Sequence, residues 1–133
     1  MPEQKKHMNA CILIVDDNPT NLKLASQVLE IEGYTVDLAA DAEQAQELLQ
    51  HMTPDLILMD IALPGMDGLT LTRKLKTDEK LRHVPVVAMT AFAMKGDDRK
   101  ALDAGCDGYI TKPIDTRKLP QQVAAYLLPH ADK

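Results

Sequence analysis

Cysteine is scarce: Cys11 and Cys106 are the only two in 133 residues. Standing alone, they build neither a disulfide framework nor a CxxC metal or redox motif. The four histidines, His7, His51, His83 and His130, are dispersed and show no ligand spacing. They read as surface residues, which argues against a histidine metal centre or a histidine phosphodonor. No apolar run approaches the roughly 20 residues that cross a bilayer. Met1 to Asn9 is polar and charged, with no apolar core of a secretory signal. Basic residues number 15 against 20 acidic ones, a net charge of −5. The chain therefore lacks the Lys and Arg excess that nonspecific nucleic-acid binding relies on. Internal repeats, low-complexity stretches and inter-domain linkers are also missing. A reducing cytoplasm is the expected setting, with no membrane insertion and no direct contact with nucleic acid.

What is present suits one globular domain. Hydrophobic residues make up 45% and charged residues 26% of the chain, and the length fits a single core. Residues 1–9 read as a flexible N-terminal tail, 10–129 as the domain and 130–133 as a C-terminal tail. Cys11-Ile-Leu-Ile-Val15 and Leu56-Ile-Leu-Met59 are short continuous apolar runs, which suit strands covered on both faces. Tyr34–Ala40, Val84–Met89 and Gly108–Thr111 read as three further strands, with Cys11 and the seven methionines as core filling.

Helices are expected between the strands. Asn18-Pro19 opens the first, Pro being suited to a first turn. Leu22, Leu24, Ala25, Val28, Leu29 and Ile31 form its apolar side, and Gly33 stops it. Asp41 caps the second, with Gln44 in capping-box register. Helices follow at Leu69–Lys76 and Ala91–Asp103. A last one starts irregularly near Asp115, becomes regular at Pro120 and ends at Pro129. Strict alternation of strand and helix predicts a parallel sheet with helices on both faces and right-handed crossovers.

Ligands of such sheets bind beyond the carboxyl ends of the strands. Those ends carry Asp16 and Asp17, Asp60, Thr90 and Lys112. Any one of them has an ordinary alternative: Asp16, Asp17 and Thr90 as helix caps, Lys112 as a surface lysine. A polar residue at the same edge of four strands is a poor outcome of capping alone. An ionised carboxylate at the end of a buried strand costs desolvation energy unless something binds it.

With these pieces in order, the chain resembles the receiver domain of two-component response regulators, of the single-domain, chemotaxis-regulator-like kind. Ile14-Val15-Asp16-Asp17, Leu58-Met59-Asp60 with Pro64-Gly65-Met66-Asp67-Gly68, Met89-Thr90-Ala91 and Gly108-Tyr109-Ile110-Thr111-Lys112-Pro113 carry the resemblance from about Cys11 to Leu128. It implies a flavodoxin-like (βα)5 fold with strand order 2-1-3-4-5 and a cis Lys112–Pro113 bond.

The resemblance also assigns roles. Asp60 is the expected phosphoacceptor, served by a histidine kinase or histidine phosphotransfer protein. Mg²⁺ is the expected cofactor, held by Asp17, Asp60 and the Ala62 backbone carbonyl directly and by Asp16 through water. Lys112 and Thr90 would stabilise phosphoryl oxygens. Thr90 and Tyr109 form the expected switch, read by a target protein on the surface of the fourth helix, fifth strand and last helix. Ala62 and Phe92, two residues after Asp60 and Thr90, would tune the phosphoryl lifetime. A weak phosphorylation-dependent dimer stays open at this stage.

Other readings fare less well. An Asp-nucleophile phosphatase of the haloacid-dehalogenase type wants a second Asp two residues on, where this chain has Ala62. A flavodoxin needs a Ser/Thr/Gly-rich phosphate loop after the first strand, where Asp16-Asp17-Asn18-Pro19 stands. A receiver-like module that is never phosphorylated has no need of the acidic set. A receiver excised from a hybrid kinase would look the same. The chain itself is expected to be a signalling domain and not an enzyme acting on other molecules.

Overall fold

A computed structural model of the chain describes residues 10–63, 65–90 and 97–131. Along it run β1 (Cys11–Val15), α1 (Pro19–Ile31), β2 (Thr35–Ala39), α2 (Ala42–Leu49), β3 (Leu56–Asp60), α3 (Gly68–Lys76), β4 (Val86–Thr90), α4 (Asp97–Asp103), β5 (Gly108–Thr111) and α5 (Leu119–Ala131). All five strands are parallel, in the order β2-β1-β3-β4-β5. This is the flavodoxin-like arrangement that the family resemblance implies, and the Lys112–Pro113 bond is cis, as that resemblance also implies.

The first three helices, α1, α2 and α3, each start where a short polar side chain takes up orphan amides. Asn18 accepts from the N–H groups of Thr20 and Asn21. Asp41 accepts from Gln44 N–H, while Gln44 Oε1 accepts from Ala40 N–H in return. Asp67 accepts from Thr70 N–H. The Asp115 carbonyl accepts from Lys118 and Leu119 in the irregular turn that precedes α5.

Side chains of a strand alternate between the two faces of a sheet. Leu13, Val15, Ile57, Met59, Val86 and Ala88 pack with Leu49, Leu71, Leu75 and Ala101 on one face. Ile12, Ile14, Leu56, Leu58, Val87 and Met89 pack beneath α1 and α5 on the other, against Leu29, Leu119 and Val123. β3 and β4 are buried along their whole length, which is why they read as unbroken apolar runs.

The structure departs from the sequence reading at several points. β2 is shorter by a residue at each end, and Pro85 stays outside β4 while its carbonyl accepts from Ile57 N–H. Cys11 is half-buried, although Ala10 and Ile12 on either side of it are buried in the core. Leu24 and Ile31 are exposed, because the buried stripe of α1 runs through Ala25, Ser26 and Leu29. α5 continues past Pro129 to Ala131. A proline ring already holds a helical φ, and in a last turn it forgoes only its own amide bond. The expected start of α4 at Ala91, together with Pro64 and Phe92, lies outside the described residues.

Candidate functional site

The register of the sheet assembles the site. Val15 pairs with Met59, so Asp16, the next residue of the β1 segment, emerges beside Asp60. Asp60 pairs with Met89, so Thr90 lies one step further along β4. Thr90 pairs with Thr111, and Lys112 follows at the end of β5, its N–H donating to the Thr90 carbonyl at 2.7 Å. All these polar groups stand at one pole because parallel strands end on the same side.

Asp16 and Asp60 are buried, 0% and 3% exposed, whereas Asp17 beside them is exposed. One carboxylate oxygen from each of the three lies within 4.8 Å of the others. Lys112 Nζ sits between the two buried members, 3.0 Å from Asp16 Oδ2 and 3.1 Å from Asp60 Oδ2. Backbone amides hold the remaining oxygens. Asn18 N–H donates to Asp16 Oδ1 at 2.9 Å, and Ala62 N–H donates to Asp60 Oδ1 at 2.9 Å. Asn21 Nδ2 stands 3.4 Å from Asp16 Oδ2.

Burial pushes the Asp60 carboxyl above the usual range and Asp16 adds to the rise; Ala62 N–H and Lys112 offset part of it. Burial alone would pull the Lys112 ammonium down, but the carboxylates of Asp16 and Asp60 outweigh it and hold the group up. The cluster thus holds three carboxylates and one ammonium, which contacts two of them. The donors are all hard oxygens, with neither sulfur nor imidazole among them. This set fits a hard divalent cation such as Mg²⁺.

A glycine shapes the floor of the site. A Cβ on Gly68 would collide with the Asp60 carbonyl oxygen, so only glycine lets the first turn of α3 pack against the end of β3.

Thr90 is buried at the end of β4. Tyr109 is 40% exposed on β5, opposite Ala88 and on the same face of the sheet as Thr90. Ala62 is exposed beside the acidic cluster. Phe92 falls outside the described residues. Sequence reasoning missed Asn21. Its signal was a second amide side chain one helical turn after the Asn18 cap, on the side that faces Asp16.

The sequence matches the response regulator receiver domain family over residues 12–124. It is 44% identical over 120 residues to the polar-differentiation response regulator DivK of Brucella abortus, covering 90% of this chain and 98% of that one. A CheY-like response regulator receiver domain protein from Methanospirillum hungatei superposes with a TM-score of 0.85 at 32% identity, over 93% of this chain and 98% of the other. The receiver domain of a sensor histidine kinase from Pseudomonas aeruginosa superposes with a TM-score of 0.82 at 37% identity, over 90% and 98%. That structure is described with a magnesium ion coordinated in the active site cleft.

Proposed function

We propose, from the premise that this chain belongs to the response regulator receiver family, that it is a phosphorylation switch working through Asp60. The observation that carries the reading is the three-carboxylate cluster with the Lys112 ammonium set between Asp16 and Asp60.

In this reading a carboxylate oxygen of Asp60 attacks the phosphorus of a phosphohistidine on a histidine kinase or phosphotransfer protein. The P–O bond forms as the P–N bond breaks, and the imidazole leaves with a proton taken up from solvent. Asp16 and Asp17, with Asp60 and the Ala62 carbonyl, would hold Mg²⁺. When bound, the ion neutralises charge among the carboxylates and on the incoming phosphoryl oxygens. Ala62 N–H keeps Asp60 oriented. Lys112, already within 3.1 Å of Asp60, transfers its contact to a phosphoryl oxygen, and Thr90 donates its hydroxyl to another.

The output is a change of partner. A phosphoryl group adds about −1.5 to −2 charges and strong acceptor oxygens. Drawing the Thr90 hydroxyl inward makes room on the shared face for Tyr109 to turn, which remodels the surface of α4, β5 and α5 for a target protein. The domain works in the cytoplasm and acts on no other substrate. Ala62 and Phe92 cannot hydrogen-bond an attacking water, so the phosphoryl group is expected to be long-lived.

The test is intact mass after incubation with acetyl phosphate or phosphoramidate, with and without Mg²⁺. A Mg²⁺-dependent gain of one phosphoryl group, absent in Asp60→Asn, is the expected result. Labelling that persists in Asp60→Asn, or a folded protein that binds Mg²⁺ and accepts phosphate from neither these donors nor a histidine kinase, would overturn the reading.

A further inference from the structure

We propose that Asn21 is a positioning residue: its carboxamide keeps Asp16 in place while Lys112 turns from the carboxylates to the phosphoryl group. The inference rests on the phosphoryl-transfer reading above and adds a residue to it.

Asp16 is fully buried, and its two oxygens are held differently. Oδ1 accepts from Asn18 N–H at 2.9 Å, a backbone contact fixed by the start of α1. Oδ2 accepts from Lys112 Nζ at 3.0 Å and from Asn21 Nδ2 at 3.4 Å. Lys112 also holds Asp60 Oδ2 at 3.1 Å, so an ammonium that moves toward a phosphoryl oxygen slackens both contacts together. A buried carboxylate oxygen that loses its donor bears the full desolvation cost. The Asn21 carboxamide already lies on that oxygen, and at 3.4 Å it has room to close in. It carries no net charge, so an arriving phosphoryl group draws it far less than it draws the ammonium, and it stays with Asp16.

Helix capping does not account for this side chain. In a capping box, a Glu or Gln at the third helical position reaches back to a backbone N–H at the helix start. Gln44 acts in this way in α2, where its Oε1 accepts from Ala40 N–H at 2.8 Å. In α1 the corresponding residue is Asn21, one methylene shorter, and the Asn18 N–H that a capping box would serve donates to Asp16 instead. Asparagine is also a weaker helix former than Gln or Glu. The residues close a ring: Asn18 N–H to Asp16 Oδ1, Asn21 N–H to Asn18 Oδ1 at 3.3 Å, and Asn21 Nδ2 to Asp16 Oδ2. The cap thus fixes the backbone of Asn21, and that backbone aims the carboxamide at Asp16.

The experiment compares the parent with Asn21→Leu, which keeps the volume and removes the donor, and Asn21→Gln, which keeps the carboxamide on a longer stem. Asn21→Ala is a second donor-free variant, and melting curves check that each folds. Calorimetry reads Mg²⁺ affinity, and intact mass reads the rate of phosphorylation at saturating Mg²⁺ and acetyl phosphate. Asn21→Leu should bind Mg²⁺ nearly as the parent does, because Lys112 still holds Asp16 in the resting state. It should accept the phosphoryl group about tenfold more slowly, the scale of one lost hydrogen bond to a charged group. Asn21→Gln should recover most of the rate, whereas a packing role would favour Leu over Gln. A further readout needs no variant: one Asn21 Nδ2–H proton of the parent should shift downfield in NMR when beryllofluoride, a stable phosphoryl mimic, joins the Mg²⁺-loaded protein. Donor-free variants as fast as the parent, a Gln variant as slow as Leu, or a stationary Asn21 signal would overturn this inference and leave the phosphoryl reading standing. A parent that takes up no phosphoryl group would overturn both.

Discussion

Lys112 Nζ makes a 3.1 Å contact with Asp60 Oδ2, joining the ends of β5 and β3 across the strand that separates them. The same ammonium reaches Asp16 at 3.0 Å. It is therefore the internal counter-charge of the two buried carboxylates as well as a candidate ligand for a phosphoryl oxygen.

Removing that counter-charge leaves two buried anions facing each other. Lys112→Met should cost about 3 kcal/mol at neutral pH, the usual scale for breaking a buried pair from one side. Urea unfolding at neutral pH and near pH 4 checks it. Much of the loss should disappear at the lower pH, where Asp60 gains a proton. A loss of the same size at both values would assign the effect to packing of the lysine stem.

Asp60 predicts a pH dependence of its own. Its folded-state pKa is raised, burial being the main cause, so the folded chain binds this proton more tightly than the unfolded chain. The contribution to stability is complete below the unfolded carboxyl pKa, about 3.9. It is lost as pH rises through the folded value. Asp60→Asn should therefore melt higher than the parent at neutral pH, with the gain fading below about pH 4. Millimolar Mg²⁺ should raise the parent's Tm and leave the variant's nearly unchanged, since a ligand stabilises only the fold that binds it. Thermal melts at two pH values, with and without Mg²⁺, test all of this together.

Gly68→Ala should be far more damaging than a usual glycine-to-alanine change in a helix. Its methyl group has to displace the Asp60 carbonyl. We expect a loss of about 2–4 kcal/mol, from strain of the overpacked kind, and weaker Mg²⁺ binding by whatever remains folded. A stable variant with parental Mg²⁺ affinity would show that α3 can move away freely.

The two thiols should differ in reactivity. Burial raises both, with Asp55 and Asp37 adding at Cys11 and the nearby Thr72 hydroxyl offsetting part of the rise at Cys106. Cys11 is half-buried and Cys106 buried. Iodoacetamide at mildly alkaline pH should label Cys11 slowly and Cys106 only on unfolding, with native labelling accelerating as pH rises. Mass spectrometry of the peptides reads this directly, and rapid native labelling of Cys106 would contradict its buried placement.

Much of this was legible because the polar residues interrupt apolar runs at equivalent positions. Asp16, Asp60, Thr90 and Lys112 each end a strand, and parallel pairing then brings them to one pole. The pairing of Lys112 with Asp16 was not legible, because a run of residues gives the end of a strand but not the reach of a four-carbon side chain across the sheet. Nor was the clasp in which Lys76 Nζ meets Asp107 Oδ2 at 3.1 Å and the Val84 carbonyl at 2.9 Å. Its members are scattered charged residues with no motif. The apolar stripe of α1 was overread at Leu24 and Ile31, since helical spacing gives a face and not the width that neighbouring elements cover.

The strand order has a consequence for how the chain is made. β1 leaves the ribosome first and ends up inside the sheet; β2 then takes one side of it and β3 the other, after which β4 and β5 add in turn beyond β3. No later strand has to open an existing pair, so the sheet can grow by accretion at a free border while translation proceeds. The same order makes an interrupted product hazardous. A nascent chain that stops after β3 displays the fully buried run Leu56–Asp60 along an unpaired border, the kind of edge from which aggregates are seeded.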